Sequence, residues 1–268
     1  MAQPGERDAI VINYSARVPA RPRYYANDHS RDTVIVEPHV MAAHDGRAAR
    51  TGLDDAGFML VGHKSAVTDF TDRESAARIH CPEIAELIRS LTGADFVSCK
   101  APPLMRFSEK SGKAGSKDNS YPARFCHVDV SDATGRAFAE RSAEGRPFRR
   151  AAHYNVWRAL SPAPQDVPLA LLDARSLSGG ALILADAIFD SPGGDWQFEG
   201  YVVAHEPAHR WHWYPDLNAD EAIVFKTHDS LPGVARYVPH VAFDDPLGPA
   251  DAAPRVSIEM RAIAYWWD

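Results

Sequence analysis

Cysteine is scarce: Cys81, Cys99 and Cys126 are the only three in 268 residues, an odd count with no close pair. A disulfide framework is thereby excluded, and the thiols read as reduced, which points to a cytoplasmic protein. No apolar run approaches the roughly 18 residues that mark a membrane span. The opening Met1–Asp8 lacks the apolar centre of a signal peptide. Basic residues do not dominate either: 29 Lys and Arg stand against 36 Asp and Glu, a formal net charge of -7. That balance sets nucleic acid aside as the main partner, because a phosphate backbone calls for a cationic face. Internal repeats, low-complexity tracts and convincing linkers are also missing, so a single domain over residues 1–268 is expected.

What the chain has in quantity is punctuation. Twenty prolines and seventeen glycines are scattered through it, which favours short elements and frequent turns and hence a fold that is mainly β. Residues 1–100 read as an arm of strands and a helix: Ala9–Asn13, Thr33–Val36, Phe58–Val61 and Phe96–Cys99 are strand-like, and Ile84, Leu87, Ile88 and Leu91 form one stripe on a helix over Glu83–Leu91, stopped by Gly93. Asp72 is a possible cap, but Pro82 breaks the pattern before that stripe. A polar helix is expected over Gly135–Ala143. Residues 101–268 read as the core, with strands over His153–Ala159, Pro168–Asp173, Ala181–Asp186, Gly200–His205, Ala222–Lys226, Val238–Phe243 and Val256–Tyr265. Evenly spaced short strands without helical periodicity between them predict a double-stranded β-helix, or jelly roll, with flanking helices. The polar segment Ser108–Tyr121 reads as a solvated loop or a mobile lid.

The chemistry gathers around Arg124–Val130. On a strand, His127 and Asp129 leave the same face, and Cys126 points to the other. An imidazole beside a carboxylate supplies two ligands to a divalent metal, and a second histidine from a distant strand would complete a two-histidine, one-carboxylate triad with open positions. A literal His-Glu-x-x-His also occurs, His205-Glu206-Pro207-Ala208-His209. In zinc hydrolases its two histidines sit one turn apart on a helix. Here Pro207 stands inside it, at a cost of about 3 kcal/mol in a helix interior, so two surface histidines flanking a turn are expected instead.

Two residues compete for the distal ligand, His228 and His240. Downstream, Arg255, Ser257, Glu259 and Arg261 share one strand face. An Arg-x-Ser pair offers a guanidinium and a hydroxyl to a carboxylate, and polar residues on an inward strand face are costly without such a use. His240 with Arg255 is the preferred combination, and Arg261 is the rival anchor.

Seven blocks in order, among them His127-Val128-Asp129, Asn155-Val156-Trp157-Arg158, Lys226-Thr227-His228-Asp229-Ser230, Pro239-His240-Val241-Ala242-Phe243 and Arg255-Val256-Ser257-Ile258-Glu259-Met260-Arg261, resemble the AsaB/CmcJ-type hydroxylase/desaturase family. The resemblance implies a non-haem Fe(II), 2-oxoglutarate-dependent oxygenase that hydroxylates or desaturates a small natural-product or amino-acid-derived substrate. It implies His127, Asp129 and His240 as the iron ligands, and Arg255, Ser257, Asn155, Arg158 and Arg261 as the cosubstrate-binding set. It also implies O2 as the second cosubstrate, succinate and CO2 as coproducts and a ferryl oxidant. It favours His240 over His228, where relatives carry an aromatic, and gives His209 no metal role. Two alternatives outside this class are a jelly-roll binding protein without chemistry and a zinc hydrolase using His205 and His209. The aromatics Trp196, Phe198, Trp211 and Trp213 are candidates to line a pocket or to fill the core.

Overall fold

The computed structural model describes residues 5–191 and 193–268; of the opening Met1–Asp8, residues 1–4 lie outside the described residues. Among the described residues, fifteen strands build two sheets, with two α-helices on the outside. In chain order they are β1 (Arg7–Ser15), β2 (Arg23–Tyr25), β3 (Val36–Asp45), β4 (Phe58–Gly62), α1 (Arg73–Thr92), β5 (Phe96–Ser98), β6 (Leu104–Phe107), β7 (His127–Val128), α2 (Asp132–Ser142), β8 (Phe148–Ala159), β9 (Leu169–Leu172), β10 (Leu182–Ser191), β11 (Gly194–Val203), β12 (Trp211–Trp213), β13 (Glu221–Asp229), β14 (His240–Ala242) and β15 (Val256–Trp267). One sheet runs β1-β3-β12-β9-β14-β7-β11-β10-β2; the other runs β4-β13-β8-β15-β5, with β6 also paired to β15. This is the jelly roll expected from the strand spacing. The segment drawn as an N-terminal arm does not stand apart, because β1, β2 and β4 form edges of the two sheets.

Alternation along the strands sorts the core. In β8 and β13, Tyr154, Val156, Ala222 and Val224 face outward against Ile84 and Ile88 of α1. Trp157, Ile223 and Phe225 turn the other way and meet Leu169 and Leu171 between the sheets. A further cluster gathers Ile10, Ile12, Tyr14, Cys126, Trp211 and Trp213. Trp211 and Trp213 are therefore core residues, whereas Trp196 is half exposed and stacks on Phe189 at 4.4 Å.

The sequence reading starts helix α1 at Glu83, nearly three turns too late. It begins at Arg73, capped by the Asp72 carboxylate accepting from the Ser75 amide, and runs through Pro82 to Gly93, whose φ of 67° closes it in the left-handed region. Proline there removes one amide and so one bond of the helix, to the carbonyl of Arg78, yet the helix continues around it. Helix α2 likewise starts earlier than expected, at Asp132 with Ser131 as its cap. Gly135 lies inside it because a Cβ there would stand 2.6 Å from the His228 ring. The strand expected at Thr33–Val36 forms instead from Val36 onward, where β1 pairs with it through Asn13 and Pro38.

Candidate metal and cosubstrate site

Strand β7 is only two residues long, yet it sits between β14 and β11 inside the larger sheet. His240 of β14 is the direct cross-strand partner of His127, so both imidazoles leave one face, with ring centroids 4.3 Å apart. Asp129 follows on the same side. The three side chains each present one ligand atom, all within 4.8 Å of one another. Asp129 Oδ1 lies 3.4 Å from His127 Nε2 and 3.6 Å from His240 Nε2.

Backbone and neighbour contacts fix how these groups present themselves. His127 Nδ1 lies 3.0 Å from the Phe125 carbonyl and His240 Nδ1 3.1 Å from that of Val238. A carbonyl only accepts, so each Nδ1 carries the ring proton and each Nε2 keeps its lone pair towards Asp129. Burial pushes the His240 pKa down to about 4, aided by the neighbouring His127, which keeps the ring neutral. The other carboxylate oxygen, Asp129 Oδ2, accepts from Asn155 Nδ2 at 2.7 Å. Burial opposes the ionised Asp129, but the contacts with His127, His240 and Asn155 prevail and hold its pKa below the usual carboxylate range.

The cleft beside the triad is lined by Arg106, Ala123, Trp157, Leu169, Ala242, Arg255 and Glu259 together with His127 and His240. Arg255 is 1% exposed; its Nη1 donates to the Val167 carbonyl at 2.7 Å and its Nε has no partner among the described residues. Ser257 is equally buried, and its hydroxyl also lacks a partner. Burial, then the nearby Arg106, lowers the Arg255 pKa to about 9. Glu259 is pushed up by burial and by Asp129.

The chain is similar to known proteins over most of its length. A family profile described as an oxidoreductase/YMDC permease-like domain matches residues 12–265. The α-ketoglutarate-dependent dioxygenase phiK of a fungal species is 31% identical over 233 residues, covering 83% of this chain and 82% of phiK. The hydroxylase/desaturase CTB9 of Cercospora beticola is 30% identical over 245 residues, 83% of this chain and 74% of CTB9. The chain belongs to the AsaB/CmcJ-type hydroxylase/desaturase family. The fold is shared by a solved structure of the iron- and α-ketoglutarate-dependent endoperoxidase NvfI, at a TM-score of 0.84 and 22% identity over the full length of both chains. Among the described residues, no helix is long and apolar enough to cross a membrane.

The remaining sequence candidates fall in different places. Asn155 touches the triad carboxylate itself. Arg158, three residues on, leaves the opposite face of β8, and its guanidinium is taken by the His63 carbonyl at 2.9 Å and His63 Nδ1 at 2.6 Å. The odd spacing from Asn155 forces that outcome on a strand, so Arg158 does not join the cleft. Arg261 continues the inner face beyond Glu259 and reaches towards the Pro102 carbonyl at 3.5 Å. His228 belongs to another cluster, with Nε2 3.2 Å from Asp132 Oδ1 and its ring 5.4 Å from that of His153. The His205–His209 motif is a turn between β11 and β12, without a helix. His209 is not the surface residue expected: it is buried, stacked 5.5 Å from Tyr14. Arg106 was missed. Its signal is a lone arginine in the apolar run Leu104-Met105-Arg106-Phe107.

Proposed function

We propose that this family member is an Fe(II)- and 2-oxoglutarate-dependent oxygenase that hydroxylates or desaturates a small molecule, with O2 as its second cosubstrate. The observation that carries the reading is the convergence of two Nε2 lone pairs and one carboxylate oxygen on a common point, each fixed from behind by a backbone carbonyl or by Asn155. Two imidazoles and a carboxylate suit ferrous iron and leave coordination positions open. The buried side chains beside them fit a dicarboxylate: Arg255 has no carboxylate partner among the described residues, and the Arg255 Nε and Ser257 hydroxyl are sealed from water with nothing to bond.

In this reading His127, Asp129 and His240 hold the metal, and Arg255 with Ser257 holds the remote carboxylate of 2-oxoglutarate. Asn155 orients the Asp129 carboxylate so that one oxygen faces the metal. When bound, iron and 2-oxoglutarate supply the oxidising power, with succinate and CO2 as coproducts. The chain's own residues bind and orient, and the apolar Trp157, Leu169 and Ala242 keep the cleft dry. The three unpaired cysteines fit a cytoplasmic location. The test is succinate formation from 2-oxoglutarate by purified protein with Fe(II) and O2, in the presence of candidate substrates. Formation that requires both Fe(II) and O2 supports the reading; its absence across binding-competent substrates, with no 2-oxoglutarate bound, rejects it.

A further inference from the structure

Arg106 lies in the cleft without an assigned task. It sits on β6 directly opposite Ser257 of β15, so its side chain shares the face that carries Arg255, Ser257 and Glu259. Its direction is set by the segment Ser108–Tyr121. Arg106 Nη1 donates to the Tyr121 carbonyl at 2.6 Å and to Asn119 Oδ1 at 3.2 Å. Asn119 adopts a φ of 50°, in the left-handed region that asparagine tolerates, and its amide is held by Asn27 Oδ1 at 2.8 Å. The loop thus aims the guanidinium inward, where a free arginine would extend to water.

Neither Arg106 nor Arg255 has a carboxylate within ion-pair distance among the described residues, although both line the same cleft. Two guanidiniums drawn from water and facing one space repel each other unless an anion lies between them. The charges of the cleft say which anion. A divalent metal and two guanidiniums in one cleft suit an anion that carries a carboxylate at each end.

Resting on the oxygenase reading above, we infer that Arg106 is a third cosubstrate-binding residue, which joins Arg255 and Ser257 in holding the remote carboxylate of 2-oxoglutarate. The segment Ser108–Tyr121 then serves as the brace that points Arg106 at the cosubstrate.

The test compares two oxo acids that share the metal-chelating end and differ in the remote carboxylate: 2-oxoglutarate and 2-oxobutyrate. Each is titrated without oxygen into the Fe(II)-loaded wild type, Arg106→Gln and Arg106→Lys, following the metal-to-ligand charge-transfer absorbance. Hydrogen bonds to charged groups contribute enough that Arg106→Gln should raise the Kd for 2-oxoglutarate roughly tenfold or more. The Kd for 2-oxobutyrate should stay within about twofold, a change too small to signal a lost contact. Arg106→Lys, which keeps the charge and stem, should fall between wild type and Arg106→Gln, and it carries the same two-acid comparison if the glutamine variant does not fold. Equal weakening of both acids would mean a packing role, and no change in either would mean no contact; each overturns the inference. A wild type that binds Fe(II) but gives no absorbance with either acid would instead overturn the oxygenase reading beneath it.

Discussion

In the cleft, His127 and His240 place Nδ1 against backbone carbonyls and turn Nε2 towards Asp129. In the turn after β11 the histidines are tied up differently. Trp211 Nε1 donates to the Tyr14 hydroxyl at 2.7 Å, and His209 Nδ1 lies 3.1 Å from the same hydroxyl. His209 Nε2 stands 3.7 Å from Glu206. Glu206 is engaged by the Ser178 hydroxyl at 2.6 Å, and His205 lies flat against His39 with centroids 3.8 Å apart. Both regions hold two histidines and a carboxylate. They differ in what holds Nδ1 and in whether the donors converge, and on the proposed reading those two features decide which one would receive a metal.

The largest separation between the regions is expected at their carboxylates. Asp129→Ala should abolish iron-dependent succinate formation with an unchanged circular dichroism spectrum, whereas Glu206→Ala should retain turnover. Loss of both activities, or of neither, would erase the distinction. Next in size is Arg255→Ala. Removing one partner of a buried charged pair costs about 2–5 kcal/mol, so the Kd for 2-oxoglutarate should rise roughly 30-fold or more, with lysine restoring only part because it lacks the planar fork. A weakened complex in Arg261→Ala alone would move the anchor to Arg261.

Asn155→Ala should lower Fe(II) affinity by roughly 10-fold or more, the usual size for the loss of a group that orients a metal ligand. Equilibrium dialysis of the metal measures this directly. His209 should produce the smallest effect, and on stability only. Burial, opposed in part by Glu206, lowers its pKa from the ordinary 6.5 to about 4. A histidine whose pKa is lower in the folded state stabilises it fully above the unfolded pKa and loses that contribution as pH falls. The thermal midpoint of the wild type should therefore drop between about pH 6.5 and 4, and His209→Gln should flatten part of that slope. An identical slope in the variant would show that His209 is not held neutral.

Much of the fold was legible because strands buried on both faces read as short, nearly continuous apolar runs bounded by turn residues: β8, β9, β13 and β15 all fall on segments read as strands. The shared face of His127 and Asp129 follows from the two-residue period of an extended chain. The Pro82 helix was not legible, since a pattern reading halts at proline while a helix capped by Asp72 and packed through Ile84 and Ile88 does not. The partner of the pair was open between His228 and His240, because only the register of β14 on β7 separates them. Arg106 was hidden for a different reason. A single arginine on a short edge strand looks solvated until a loop fifteen residues further on supplies the carbonyl that turns it inward. The more distinctive motif, His-Glu-x-x-His, misleads because it specifies residues and not the helix its chemistry requires.

The central claim is that metal binding follows donor convergence and the open Nε2 atoms. Fe(II) binding without oxygen, measured by equilibrium dialysis on wild type, His240→Ala and His209→Ala, tests it most directly. The account predicts that His240→Ala loses the bound iron and that His209→Ala keeps it. Iron retained in His240→Ala, or lost in a folded His209→Ala, would contradict it.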